Sequence, residues 1–115
     1  MSRFQTSHSK YAAADLVFQF GEPGVYYANG VTTGGGRSIS GIVERDVRVI
    51  TDQGIPALAT FVTVRDDAAK GITSTEIDTG LDLYSVSLRI GETPQIRQIV
   101  FVESTEAGLV RFQVN

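Results

Sequence analysis

Between Gly30 and Ser38 the chain reads Gly-Val-Thr-Thr-Gly-Gly-Gly-Arg-Ser. Glycine, hydroxyl and guanidinium groups at that density are the ingredients of a phosphate-binding loop. Such a loop places Gly, four intervening residues and Gly-Lys-Ser/Thr between a strand and a helix, so that amides cradle phosphate and the lysine neutralises charge. Gly30 and Gly35 have the glycine spacing, but Gly36 stands where lysine belongs and Arg37 follows one position late. A β-pattern comes next, and without a helix N-terminus the anion loses its dipole and most of its donors. The stretch is therefore read as a hairpin tip, with Gly34, Gly35 and Arg37 available to a macromolecular partner.

Asp78-Thr79-Gly80 is the triplet that carries the catalytic carboxylate of aspartic proteases, where two such groups share a proton and activate water. Glu76 and Leu81 do not supply the usual flanks. Arg89-Ile90-Gly91, the nearest match to the partner motif, lies too close in sequence to build the rest of that fold. A turn is the simpler reading, since Asp, Thr and Gly are ordinary turn residues. His8 is the single histidine, so a triad or a two-histidine metal site cannot be assembled within one chain. Asp66-Asp67 reads as a solvated turn and not as a hard-cation site. Tyr26-Tyr27 could stack on a sugar or base, although a tyrosine pair in a strand more often sends one ring inward. No catalytic residue, cofactor or metal is expected.

These residues need elements to position them. Ser9 can cap a helix, and Ala13, Leu16, Val17 and Phe20 share one helical face, which predicts a helix over Lys10–Phe20 ended by Gly21 and Pro23. Residues 1–8 are expected to fray. Beyond Pro23 the period drops to two, and strands are expected at Val25–Ala28, Ser38–Ile50, Leu58–Arg65, Tyr84–Ile90, Ile96–Ser104 and Leu109–Val114. Ile96–Ser104 is apolar on both faces and is expected to be central. Asp66–Gly80 loses the alternation and reads as a long mobile loop. Six strands with close turn signals predict an all-β fold, a small antiparallel barrel or sandwich with one short N-terminal helix.

Bulk properties narrow the function classes. The 115 residues make one domain, and 42% apolar with 20% charged residues is ordinary for a globular protein. A net charge of −3 argues against a nucleic-acid reader. The absence of cysteine excludes disulfides and thiolate metal sites. No secretory leader and no apolar run long enough for a membrane helix is visible, which predicts a protein assembled in the cytosol without membrane contact.

The order of segments carries a resemblance. An Ala-rich helical stretch ends in Phe20-Gly-Glu-Pro23 and runs into Val25-Tyr26. A Gly-rich tip leads to Arg37-Ser-Ile-Ser-Gly-Ile-Val43, a loop ends in Asp78-Thr-Gly80, and Leu88-Arg-Ile-Gly91 precedes a final hairpin. This resembles the small head–tail joining (connector or stopper) proteins of tailed bacteriophages and prophages, including the lambdoid ones. The resemblance implies a β-barrel that forms a ring beneath the portal, closes the filled head and docks the tail. It also implies N-terminal and loop segments that order on assembly, in a virion put together in the bacterial cytoplasm. Expected partners are portal or connector and tail-terminator proteins and further copies of the chain, with DNA passing nearby without sequence-specific binding. The residues expected to interact are Tyr11, Tyr26, Tyr27, Gly34, Gly35, Arg37, Asp66, Asp67, Lys70, Ile72 and Ile77. An alternative is a β-barrel module binding a sugar-type ligand through Tyr26 and Tyr27. A dimeric aspartic protease acting through Asp78 is a third.

Overall fold

The computed structural model describes residues 21–115; the expected helix over Lys10–Phe20, the fraying at 1–8 and Tyr11 lie outside the described residues. The strands are β1 (Glu22–Tyr27), β2 (Arg37–Ile50), β3 (Pro56–Arg65), β4 (Leu83–Val86), β5 (Gln95–Glu106) and β6 (Leu109–Val114). They close into an antiparallel barrel in the order β1-β2-β3-β6-β5-β4. The all-β expectation holds, in its barrel form.

Period-two patterning becomes packing most plainly in β6, where Val110, Phe112 and Val114 are buried and Leu109, Arg111 and Gln113 are half-buried on the other face. Tyr26, Ile39, Val62, Val64, Tyr84 and Ile99 join them inside the barrel. Each fully buried side chain of this size contributes about 1.5–3 kcal/mol through burial. Tyr84 is fully buried, and its ring meets Phe112 edge-on with centroids 5.4 Å apart. Two glycines make that room: a Cβ on Gly24 would lie 2.3 Å from the Tyr84 hydroxyl, and one on Gly41 3.0 Å from it.

β2 carries a bulge between Glu44 and Val47, where Asp46 takes a left-handed φ of 56°. Asp tolerates that region, and the extra residue turns Arg45 toward its neighbours. Arg45 donates to both Glu22 carboxylate oxygens at 2.8 Å, and to the Ser87 carbonyl and hydroxyl at 3.0 Å. This clasp joins the start of β1 to the end of β4. β5 and β6 are linked by Ala107-Gly108, both at positive φ, the geometry of a tight two-residue hairpin.

Three expectations need correction. The strand expected over Tyr84–Ile90 stops at Val86, and Ile90 is 88% exposed in the following turn. The registers would next set Ser87 against Pro23 on one side and Pro94 on the other, neither of which has an N–H to continue a ladder, and the Ser87 carbonyl accepts from Arg45. The apolar residues on the second face of β5 are not covered: Ile96, Val100 and Phe101 are exposed. Finally, the loop expected to be mobile is anchored, because Ile72 is fully buried in the core and Ile77 packs against it.

Candidate interaction surfaces

The Gly-rich tip leaves β1 through a turn at Ala28–Gly30 and enters β2 at Arg37, so a strand follows it and not a helix. Gly34 and Gly35 have positive φ, stand exposed and have open space around them. Gly36 is different: a Cβ there would sit 2.7 Å from the Tyr26 carbonyl, so the tip is pressed against β1.

Arg37 does not face solvent as a lone cation. Its guanidinium forms a fork to both Glu76 carboxylate oxygens, at 2.9 and 3.2 Å, and donates to the Gly71 carbonyl at 2.9 Å. It also lies 5.3 Å from the centroid of the Tyr26 ring. Burial alone would raise the Glu76 pKa, but Arg37 and the Thr73 amide and hydroxyl together hold it below the ordinary carboxylate range. Tyr26, 2% exposed, donates its hydroxyl to Asp82 at 2.5 Å. Burial and the neighbouring Asp82 carboxylate push that phenol's pKa far up. Asp82, itself 1% exposed, also accepts the amides of Asn29 and Asp78 at 2.8 Å. The structure thus brings Tyr26, Arg37, Ile72 and Ile77 together as the latch of the β3–β4 loop. With its ring buried and its hydroxyl engaged, Tyr26 offers no stacking face to a sugar. Tyr27 is half-buried. Asp78, Thr79 and Gly80 are exposed in a turn, with the Gly80 amide donating to the Ile99 carbonyl.

Asp66, Asp67 and Lys70 sit in the compact turn that opens the loop. The Asp67 carboxylate accepts the Ala69 and Lys70 amides at 2.7 and 2.8 Å, and these amide bonds hold its pKa low. The Ile72 amide donates to the Arg65 carbonyl at 2.9 Å, and a Cβ on Gly71 would collide with that same oxygen. Lys70 is thereby held close to the end of β3. Beside this turn the outer face of β4, β1 and β2 forms a groove of about 500 Å³. Pairing places Ser85, Val25 and Ser38 in one row across its floor, with Pro23 opposite Ser40 in the next. Pro94 lines it too, and Arg65 and Lys70 supply its cations.

A second surface comes from strand length. β1 meets β2 between Arg37 and Gly41, and β6 meets β3 between Thr60 and Arg65, yet β2 and β3 stay paired out to Ile50 and Pro56. Their hairpin therefore overhangs the barrel and carries exposed Ile50 (69%), Ile55 (56%) and Leu58 (64%). Between its end and β5–β6 lies a cavity of about 630 Å³ lined by Val49, Ile50, Phe61, Val100 and Phe101. Phe61 points outward yet is 5% exposed, because the Arg111 guanidinium stacks over its ring at 4.3 Å. Glu44 and Glu103 hold that guanidinium in place.

Sequence reasoning did not single out Asp82, Glu76, Arg65 or the overhang. An Asp between Leu81 and Leu83 is a signal for the first, since a carboxylate in an apolar context needs donors. A strand pattern in Ser38–Ile50 longer than its neighbours' is a signal for the last. No protein-family model and no curated protein matches the sequence.

Proposed function

We propose that the chain is a non-enzymatic structural protein of a tailed-phage head–tail junction, forming a ring under the portal that closes the filled head and docks the tail. The observation that carries this reading is the overhanging β2–β3 hairpin, whose exposed Ile50, Ile55 and Leu58 project beyond the barrel beside the cavity it shares with β5 and β6. A projection from one copy seated in the cavity of the next is a head-to-tail contact, and repetition of such a contact closes a ring when the rotation allows. The order of segments that resembles the head–tail joining proteins points the same way. A net charge of −3 suits a channel through which DNA slides without sticking.

The sugar-binding alternative loses Tyr26 to the core, and the protease alternative has its aspartate in an exposed turn. Neither is favoured by a specific observation. The test mixes the purified chain with filled heads and free tails, and compares it with the Ile50→Asp, Leu58→Asp double variant. Both sites are exposed, so the variant is expected to fold with stability within roughly 1 kcal/mol of the parent. The parent should sediment with heads, show rings by electron microscopy and yield joined particles; the variant should do none of these. Joining at full efficiency without the parent chain overturns the proposal.

A further inference from the structure

We infer that the Gly-rich tip (residues 28–36) and part of the β3–β4 loop (residues 71–78) open and close as one unit, so that a contact displacing the exposed tip releases Ile72 from the core. This does not rest on the head–tail reading, because it requires no ring and no particular partner.

Neither segment holds itself in place. Every residue of the tip is exposed, so burial contributes nothing to its order. In the loop segment Ser74, Thr75 and Asp78 are exposed, and Ile72 is the one side chain placed fully in the core. Ordering backbone with so little burial has to be offset by polar ties. Those ties converge on two residues outside both segments. At one end the Asp82 carboxylate accepts the Asn29 amide of the tip and the Asp78 amide of the loop, both at 2.8 Å. At the other end Arg37 follows Gly36 directly, and its guanidinium donates to the Gly71 carbonyl at 2.9 Å and to both Glu76 oxygens. Tyr26 bridges the two anchors, with its ring against the Arg37 guanidinium and its hydroxyl donating to Asp82.

Shared anchors make the opening of one segment unfavourable for the other. If the tip swings away it carries Arg37 with it, and the half-buried Glu76 carboxylate loses its cation. If the loop lifts, Asp82 loses one donor and Arg37 loses three acceptors. Hydrogen bonds to charged groups are the strong ones, and local openings follow contiguous cooperative units. Gly36 fixes where the tip sits, since a Cβ there would lie 2.7 Å from the Tyr26 carbonyl. Release of the loop takes Ile72 out of the barrel and frees Ile77 beside it. The closed molecule thus conceals an apolar surface, and the tip, with open space around Gly34 and Gly35, is where a partner would trigger its exposure. Such coupling is reciprocal: what the tip does to the loop, the loop must do to the tip.

The experiment is amide hydrogen exchange on the full-length chain, resolved by NMR and repeated at low urea. The Asn29 and Val31 amides report the tip, and those of Ile72, Thr73 and Asp78 report the loop. In the parent all five should share one opening constant and one urea slope, with a lower opening free energy and a smaller slope than core amides of β3 and β6. Gly36→Ala drives a Cβ against Val25, Tyr26 and Tyr27 and so wedges the tip off β1. It should speed exchange at Ile72 and Thr73 by about tenfold or more. Glu76→Ala removes a loop carboxylate to which neither Asn29 nor Val31 donates, and should speed those two amides by a similar factor. If a variant speeds the core amides equally, it opens globally, and the urea slopes of the parent decide. The inference is overturned if tip and loop amides of the parent differ in urea slope, if Gly36→Ala leaves Ile72 and Thr73 at parent rates, or if Glu76→Ala leaves Asn29 and Val31 there.

Discussion

Tyr26 and Tyr84 both enter the barrel interior, yet their hydroxyls meet opposite fates. The Tyr26 hydroxyl donates to a buried carboxylate, whereas the Tyr84 hydroxyl is buried without a partner among the described residues. Removing a donor from a buried charge leaves that charge less satisfied and costs about 1.5–3 kcal/mol. Removing an unsatisfied hydroxyl costs nothing in hydrogen bonding and relieves a desolvation penalty. Tyr26→Phe should therefore lower unfolding stability in urea by about 1.5–3 kcal/mol, and Tyr84→Phe should leave it within about 0.5 kcal/mol or raise it. Asp82→Asn should cost at least as much as Tyr26→Phe, because its NH2 would face a group that now donates to the carboxylate, the Asn29 amide at the least, and the remaining oxygen would accept as a neutral group. Equal loss in the two tyrosine variants would show that Asp82 is not the hub of this corner.

At the scale of the element, the β3–β4 loop is held by one buried side chain and one ion pair. Ile72 supplies the apolar anchor, and Arg37 with Glu76 supplies the polar one. The Glu76 pKa is lowered from 4.5 in the folded chain, so the folded state takes up its proton less readily than the unfolded state. Its stabilisation is complete above pH 4.5 and is lost as the pH falls through the lower folded value. Glu22, held by Arg45, titrates in the same direction. Stability should therefore decline on acidification below pH 4.5. Arg37→Ala should cost about 1–3 kcal/mol at neutral pH and flatten part of that decline, because Glu76 then loses the partner that depresses its pKa. Hydrogen exchange should find the Ile72 amide slow in the parent and faster in Arg37→Ala. An unchanged acid limb in the variant would place the titration elsewhere.

At the scale of the whole molecule, closure sets the folding problem. The seams that complete the barrel join Val25 to Ser85 and Thr60 to Val114, contacts of long sequence separation. Loop entropy must be lost before those contacts form, so refolding is expected on the millisecond-to-second scale, with unfolding monitored by different probes coinciding. Refolding in microseconds would contradict this topology. Closure also decides where the molecule can associate. Every strand has two neighbours where the barrel closes, so β-augmentation has no entry at those positions. The hairpin beyond it presents apolar side chains instead, and that is the surface proposed for neighbouring copies.

The strands in Ser38–Ile50, Leu58–Arg65 and Leu109–Val114 were legible in the sequence because alternation is a local property, complete within a few residues. Tyr84–Ile90 alternates equally well, but a strand also needs neighbours that can donate, and after Val86 the facing positions are Pro23 and Pro94. Composition made Asp66–Gly80 look free, since Ile72 and Ile77 are its few large apolar residues. The fold made Ile72 part of the core by bringing β3 and the loop together. Arg37 likewise read as a tip residue until Glu76 was placed beside it. The groove with Arg65 and Lys70, the hairpin overhang and the Asp82 hub all depend on which strands pair and in what register. Those choices are made by contacts between distant segments, whose free energy is not carried by the periodicity of any one of them.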